Sequence, residues 1–290
     1  MSNRLIIIDS SYVCYVHRFA LSAGLSYRGG RTEIIYGFLK SILDTAEHFK
    51  TKDFVFAWDS KNKHSLRRKI YPEYKLDRDK ARGEMSEEDQ EQERLAYIQF
   101  DQLRKDVLPN IGFQNIFRKK GYESDDIMAS IITVESNDRK CTIVTGDEDL
   151  YQLLDMCSIY NMRKHEILTG KMFKRIYKIR PKEWVMVKAL GGCTSDHVKG
   201  IPLIGEGRAI AFIRGELAGK MKERIDNDKG ETVKQNLPLV KLPFKGTGIF
   251  KVKLDHLNIK DFKAVCKEYG LNSFLKPENL KKWKNSFEME

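Results

Sequence analysis

The sequence Cys141-Thr-Ile-Val-Thr-Gly-Asp-Glu-Asp149 places two carboxylates just after a short apolar run. Residues 141–145 are apolar or β-branched over a length that is typical of a buried strand. Gly146 interrupts the run and favours a turn, after which Asp147 and Asp149 follow. The stretch therefore predicts a buried strand with two acidic side chains at its carboxyl end.

Two other apolar runs end in the same way. Residues 5–8 are followed by Asp9, and residues 54–58 are followed by Asp59. In open parallel sheets the carboxyl ends of the strands lie at one edge, where ligands bind. We therefore expect these carboxylates to lie close to the acidic pair that follows residue 145.

Helical patterns alternate with these strands. Residues 33–49 and 124–134 carry apolar side chains at helical spacing, and Glu123-Ser-Asp-Asp126 opens the second of these helices. Such alternation predicts an α/β fold with a mostly parallel central sheet and helices on both faces. We expect this core to occupy residues 1–180.

The composition fits a globular enzyme that acts on an anionic partner. The 290 residues are 41% hydrophobic and carry a net charge of +11, and basic proteins of this kind often bind nucleic acid. No apolar run reaches the roughly 18 residues of a membrane span, and the N-terminus lacks the apolar region of a signal peptide. The five cysteines form no CxxC pair, so a zinc cluster or a disulfide framework is not expected. We expect a cytoplasmic protein with no membrane partner.

Residues 61–93 differ from the rest of the core. Residues 61–80 contain eight Lys or Arg against three Asp or Glu, whereas residues 81–93 contain one Arg against six acidic residues. Few aliphatic side chains interrupt this stretch, so we expect an exposed insertion at about residues 61–95.

The chain becomes helical and basic after Arg180-Pro181, where Pro181 is suited to the start of a helix. Gly200-Ile-Pro-Leu-Ile-Gly205 then forms a glycine-bounded turn ahead of another helical stretch. Two helices joined by such a turn can direct backbone N–H groups at a phosphate. We expect residues 181–290 to form a helical region that makes one compact unit with the core.

The carboxylates indicate a metal site when they are considered together. Each one alone is a common turn residue or a common residue of a first helical turn. Six or seven on one edge cannot all stay ionised unless cations neutralise them. Oxygen ligands without His or Cys favour Mg²⁺ or Mn²⁺. The sequence has no P-loop and no G-x-S-x-G elbow, and Asp9 lacks the second Asp of aspartyl-phosphate phosphatases.

In this order, the motifs resemble those of the 5′-nuclease family, which includes phage flap endonucleases and the N-terminal domain of bacterial DNA polymerase I. The similar stretches include residues 5–10, 35–40, 56–59 and 71–75, and the turn at residues 200–205 resembles a helix–hairpin–helix turn. The most specific stretches are residues 121–126 and 145–154. The resemblance covers nearly the whole chain and implies a PIN-like nuclease core with a helical arch.

The resemblance also implies roles for single residues. A first metal ion would be held or oriented by Asp9, Asp59, Glu123 and Asp125, with Asp126 close by, and a second by Asp147, Asp149 and Asp196. Lys75 and Arg78 would contact the scissile phosphate from the arch. DNA would be contacted by Arg67, Lys199, Gly200, Gly205 and Arg208, with a K⁺ ion at the carbonyls of the turn.

One stretch departs from the family. The usual G-D-x-S-D-N is Gly192-Cys-Thr-Ser-Asp-His197 here, so Cys193 stands where Asp is expected and His197 where Asn is usual. A thiol is a poor ligand for Mg²⁺. We interpret Cys193 as a small filler beside the second site, which would then need more Mg²⁺ or prefer Mn²⁺. His197 is a further nitrogen donor in the same stretch.

The resemblance implies a metal-dependent nuclease that cuts 5′ flaps and 5′ ends of DNA or of RNA–DNA hybrids during replication. Its partners would include replication proteins, and we expect a monomer. The compact layout suggests a phage source. Two alternatives remain: a DNA-structure-binding protein whose catalysis is weakened by Cys193, and a PIN-type ribonuclease. PIN-type proteins are usually shorter and lack the arch and the hairpin turn.

Overall fold

The computed structural model describes residues 3–20 and 25–290 of the chain. Its centre is a six-stranded sheet with the order β5-β4-β1-β6-β7-β8. Neighbouring strands are parallel except for β8, which runs antiparallel to β7 at the edge. The strands of this sheet are β1 (Arg4–Asp9), β4 (Phe54–Trp58), β5 (Ile116–Arg118), β6 (Lys140–Val144), β7 (Cys157–Asn161) and β8 (Glu166–Thr169). The predicted mostly parallel sheet is confirmed.

Alternating side chains divide the core into two layers. On β1, Leu5 and Ile7 pack on one face of the sheet, while Ile6 and Ile8 pack on the other. All four are essentially inaccessible to solvent. Because both faces are covered, the strands are continuous apolar runs, as expected for a parallel sheet.

Helices cover both faces of the sheet. One face packs against α1, α2, α5 and the C-terminal helices, and the other packs against α7, α9 and α10. No helix in residues 3–20 and 25–290 has the length and apolar character needed to cross a membrane. The helices are α1 (Ser10–Ala20), α2 (Glu33–Phe49), α3 (Ser65–Ile70), α4 (Leu76–Gly83), α5 (Glu87–Gln102), α6 (Leu108–Ile111), α7 (Ser124–Glu135), α8 (Gly170–Tyr177), α9 (Trp184–Gly191), α10 (Glu206–Ile213), α11 (Gly219–Asn227), α12 (Glu231–Val240), α13 (Ile259–Glu268) and α14 (Pro277–Phe287).

The insertion predicted at residues 61–95 is exposed only in part. Helix α4 has no buried residue, and the first turns of α5 are exposed as well. In contrast, Arg67, Tyr71, Tyr74 and Lys75 are buried at its base. The expectation that the whole stretch stands off the core is therefore corrected: apolar and paired side chains anchor its first part, and only the following helices project.

The remaining strands are two short antiparallel pairs. Strands β2 (Ser26–Tyr27) and β3 (Gly30–Arg31) pair before α2, and β9 (Gly192–Cys193) and β10 (Val198–Lys199) pair between α9 and α10. The second pair matters for the site because Cys193 and Asp196 lie on it and in the turn that joins its strands. Residues 259–287 form α13 and α14, whose apolar side chains complete the core beside α2.

Candidate metal centre

Asp9 is the best-supported carboxylate of the sheet edge. It is the last residue of β1 and is 7% exposed. Its Oδ1 accepts hydrogen bonds from the Tyr12 backbone N–H at 3.2 Å and the Ser124 hydroxyl at 3.3 Å, and its Oδ2 accepts one from the Thr145 hydroxyl at 3.1 Å. Residues from three elements thus hold one carboxylate in place.

Asp59 and Glu123 lie beside Asp9 because β4 is its neighbouring strand and α7 begins there. Asp59 Oδ1 accepts from the Ser124 N–H at 2.9 Å, and Lys63 Nζ lies 2.5 Å from its Oδ2. Glu123 is the N-cap residue of α7, and Asp125 lies in the first turn of that helix. The structure therefore places the four residues predicted for the first ion at the same edge of the sheet, where the carboxylates interact electrostatically: Asp9, Asp59, Glu123 and Asp125. We refer to them as the first set.

Crowded carboxylates raise one another's pKa at this edge. Burial, and then the charge of Asp59, raise the pKa of Asp9 to about 7. Burial, and then the charge of Asp147, raise the pKa of Asp125, and burial followed by the charge of Asp149 raises that of Asp147 to about 6. Ionised carboxylates are disfavoured here without a cation, so the donor set and its electrostatics both fit a divalent metal ion.

Glu123 is the exception because cations surround it. Burial alone would raise its pKa, but the charges of Lys75 and then Arg67 outweigh that effect and bring it to about 2. Lys75 Nζ lies 2.9 Å from both carboxylate oxygens of Glu123 and 3.4 Å from Asp196 Oδ2. The Tyr74 hydroxyl donates to Asp196 Oδ2 at 3.1 Å. Lys75 is thus an internal counter-ion between the two groups of carboxylates.

The residues predicted for a second ion lie in loops beyond β6 and α9. Asp147 caps the 3₁₀ turn Glu148–Leu153, where its side chain accepts from the Asp149 N–H at 2.8 Å. Asp196 approaches from the β9–β10 turn, where Arg78 Nη2 lies 3.2 Å from its Oδ1. The donor atoms of Asp149, Cys193 and Asp196 lie within 4.8 Å of one another. We refer to Asp147, Asp149, Cys193 and Asp196 as the second set.

Two predicted site residues serve the fold. Arg67 and Asp126 form a bidentate ion pair with both N–O distances at 2.8 Å, and they are 2% and 0% exposed. Asp126 also accepts from the backbone N–H groups of Glu123 and Phe244. The prediction that Arg67 contacts DNA is therefore corrected, because its guanidinium is buried and already paired. Asp126 bonds to the backbone of Glu123, so its position close to the first metal ion stays a prediction.

The turn at residues 200–205 precedes α10, and its backbone lies in close contact with the end of α9. A Cβ atom on Gly200 would lie 2.2 Å from the Gly191 carbonyl carbon, so only glycine fits there. A Cβ on Gly205 would meet nothing within 4 Å. Lys199 is exposed with an ion pair to Glu73, and Arg208 donates to the Leu203 carbonyl at 2.5 Å.

His197 does not join the second set. Its Nδ1 lies 2.6 Å from Asp77 Oδ2 on α4. The residue has a φ of 62°, a left-handed conformation in which Asn is more usual than most residues. This explains a polar residue at the position but gives it no role as a metal donor.

The structure also reveals supporting residues that the sequence did not identify. Lys63 pairs with Asp59, and Lys188 Nζ lies 3.2 Å from Asp149 Oδ1. Ser124 and Thr145 bond to Asp9. Ser124 and Thr145 adjoin the acidic motifs and could have been proposed from them, whereas Lys188 sits on α9, 39 positions from its partner, and no sequence signal marks it.

Comparison with known proteins gives the chain a family. A model of the N-terminal, resolvase-like domain of 5′-3′ exonucleases matches residues 4–178. The 5′-3′ exonuclease of Bacillus subtilis is 30% identical over 222 residues, which cover 73% of this chain and 70% of the relative. DNA polymerase I of Thermus thermophilus is 29% identical over 81% of this chain, which spans about a quarter (27%) of the length of that relative.

Solved structures agree on the fold. The bacteriophage T5 5′-exonuclease with bound zinc ions superimposes with a TM-score of 0.70 at 19% identity, over 98% of this chain and 99% of the phage protein. The T5 flap endonuclease in a pseudo-enzyme-product complex with DNA and metal ions gives a TM-score of 0.69 at 19% identity, with the same coverage. The predicted α/β nuclease fold is therefore confirmed over nearly the whole chain.

Proposed function

The chain belongs to the 5′-3′ exonuclease family, and from that premise we propose that it hydrolyses phosphodiester bonds at 5′ flaps and 5′ ends of DNA. The observation that carries this proposal is the group of carboxylates at the ends of β1, β4 and β6. Burial and neighbouring carboxylates raise the pKa values of Asp9 and, in the first turn of α7, of Asp125, and the buried cation Lys75 pairs with Glu123 beside them. Such costly like charges are expected where cations complete the site.

We propose that the first set holds or orients one Mg²⁺ or Mn²⁺ ion and that the second set holds another. Divalent ions in such a site activate water and steady the charged oxygens of a phosphodiester. The chain's own contribution is to fix the donors. Thr145 and Ser124 orient Asp9, while Lys188 orients Asp149.

Lys75 and Arg78 are proposed to act on the scissile phosphate. Both stand at the base of the insertion, and both contact Asp196. Arg78 is half-exposed, so it can reach a phosphate at the mouth of the site. The Lys75 ammonium would turn from the carboxylates to the phosphate once DNA and metal ions have bound, which stabilises charge as the bond breaks.

The rest of the molecule is proposed to hold the substrate. The projecting helices α4 and α5 would form the arch through which a 5′ end passes. Lys199, Gly200, Gly205 and Arg208 would contact the duplex backbone, and carbonyls of the turn would bind K⁺. Within the same proposal the protein acts as a monomer in the cytoplasm, accepts RNA–DNA hybrids as well as DNA, and works with replication proteins.

Three labelled substrates test this function: a 5′-flap duplex, a nicked duplex and a single-stranded RNA, each incubated with Mg²⁺, Mn²⁺ or EDTA. We expect metal-dependent cleavage at the flap junction and release of 5′ products from the nick, with no cleavage in EDTA. Tight flap binding without cleavage in either metal would replace the proposal with a DNA-binding function. Preferential cutting of the RNA would replace it with a ribonuclease of the PIN type.

A further inference from the structure

Cys193 is placed among carboxylates in a way that its apolar character does not explain. Three donor atoms, the Sγ of Cys193 and one carboxylate oxygen each of Asp149 and Asp196, all lie within 4.8 Å of one another. The residue is 8% exposed. The residue packs in an apolar cluster with Tyr74, Val198 and Leu239. Its thiol also has two acidic neighbours and a hydroxyl neighbour, which an apolar filler alone does not require.

The spacing of the three donors matches a single ion. With metal–thiolate bonds of about 2.3 Å and metal–carboxylate bonds of about 2.0–2.2 Å, two donors of a tetrahedral site lie about 3.5 Å apart. The three donor atoms here lie within 4.8 Å of one another, so small side-chain rotations can bring them onto one ion. Three protein donors would leave a fourth position open to water or substrate.

Neighbouring residues hold the donors from outside. Lys188 contacts Oδ1 of Asp149 at 3.2 Å, so Oδ2 of that carboxylate is available to a cation. The Ser195 hydroxyl lies 3.1 Å from Cys193 Sγ and donates to Asp196 Oδ1 at 3.3 Å. Such outer contacts orient ligands and tune their affinity.

The chemistry of the donors decides which ion is preferred. Cys193 offers a soft sulfur ligand, whereas Asp149 and Asp196 offer hard oxygen ligands. Mg²⁺ does not form strong bonds to thiolates, whereas Zn²⁺ and Cd²⁺ form them readily. When a sulfur–metal bond forms, the thiol proton passes to the buffer and the sulfur stays bound as a thiolate.

We propose that Asp149, Cys193 and Asp196 form a mixed thiolate–carboxylate site that binds a thiophilic divalent cation, such as Zn²⁺ or Cd²⁺, in preference to Mg²⁺. This replaces the interpretation of Cys193 as a filler. The inference rests on the proposed function only in taking the second set as a metal site. It predicts that this enzyme differs in metal selectivity from relatives that carry a carboxylate at the same position.

Titration of the full-length protein with Cd²⁺, without DNA and with a phosphine reductant that does not compete for metal, tests the site directly. We expect an ultraviolet thiolate-to-cadmium charge-transfer band that saturates at one equivalent and persists in a large excess of Mg²⁺. The band should disappear in C193S and C193D. The band should be retained in C157S, the matched control. Cys157 is on β7, donates to the carbonyl of Leu153 in the preceding turn, and lies outside the cluster.

The binding constant supplies a second readout. Cd²⁺ affinity measured by calorimetry should fall at least about 10-fold in C193S, with an equal loss in D149N if that carboxylate is a ligand. An absent band, or the same affinity in wild type and C193S, would overturn the inference. Flap cleavage in Mg²⁺ is measured separately. If the protein cleaves flaps but shows no charge-transfer band, only the mixed site is refuted. If the band appears but no metal supports cleavage, only the proposed nuclease function is refuted.

Discussion

The two carboxylate sets share one edge of the sheet but are built differently. The first set is attached to rigid elements: Asp9 ends β1, Asp59 directly follows β4, and Glu123 and Asp125 begin α7. The second set is carried by the 3₁₀ turn Glu148–Leu153 and by the two-residue strands β9 and β10 with the turn between them. Parallel pairing of β1 with β4 fixes Asp9 relative to Asp59. Within the second set, Asp149 lies in the turn after β6 and Cys193 on the separate β9–β10 pair.

This difference indicates where the site tolerates chemical change. An altered donor in the first set would leave a buried hydrogen bond from Ser124 or Thr145 unpaired or weakened, at a cost of about 1–3 kcal/mol. In the second set, Cys193 keeps the backbone of β9 and bonds to Ser195. We infer that metal selectivity can vary in the second set while the first set keeps the reaction.

The largest expected effect is the loss of the reaction when the first set loses a ligand. D125N removes one charge at the buried end of α7 and should lower kcat for flap cleavage on the order of 10³-fold or more, because metal ions contribute several kcal/mol to charge stabilisation. Single-turnover cleavage of a labelled flap in Mg²⁺ measures it. D138N, which lies just beyond the carboxyl end of α7, should retain wild-type kcat. A similar loss in both variants would argue against a local role for Asp125.

The next effect concerns Asp126, which is adjacent to Asp125 in sequence but belongs to the fold. R67A leaves the Asp126 carboxylate buried without its guanidinium partner and should lower the free energy of unfolding by about 3–5 kcal/mol. Urea unfolding in EDTA measures the change. R94A breaks a fully exposed pair with Glu91 and should leave the free energy of unfolding unchanged within error. A loss of under 1 kcal/mol in R67A would show that the pair is not structural.

The sequence predicts the strands and helices that carry the first set because their signals are local. Residues 54–58 form an uninterrupted apolar run, and the structure has β4 over the same residues. Residues 33–49 likewise form α2. Once the strands are parallel, the carboxylates at their ends must meet, so the position of Asp9 and Asp59 follows from pattern and topology alone.

The same reasoning did not find pairings between residues that are distant in sequence. Arg67 and Asp126 are 59 positions apart, and only the packing of α3 against the start of α7 shows that they neutralise each other. Sequence alone favours a filler at Cys193 because a thiol is a poor ligand for Mg²⁺. Its relation to Asp149 depends on how the β9–β10 pair sits against the turn after β6, which no periodicity encodes.

A moderate effect is expected when the missing carboxylate is restored. C193D should lower the Mg²⁺ concentration for half-maximal flap cleavage by about 10-fold, since one added hard ligand is worth about 1.4 kcal/mol or more in Mg²⁺ affinity. Cleavage rates across a Mg²⁺ series measure the midpoint. C193S supplies the control because it removes the thiol without adding a carboxylate, and its midpoint should stay within about twofold of wild type. An unchanged midpoint in C193D would remove the second set from the reaction in Mg²⁺.

The smallest effect should come from Lys199, which lies on β10 directly after the residue paired with Cys193. Its side chain is 76% exposed and forms an exposed ion pair with Glu73. If it contacts one phosphate, K199A should weaken duplex binding a few-fold at low salt and reduce the slope of log affinity against log salt by about 0.9. Fluorescence anisotropy over a salt series measures the slope. K140A removes a charge at the amino end of β6, on the edge opposite the site, and should leave the slope unchanged. Equal slopes for K199A and wild type would place the duplex away from β10. The second set would then lie apart from the DNA-binding surface, in addition to lying apart from the rigid sheet.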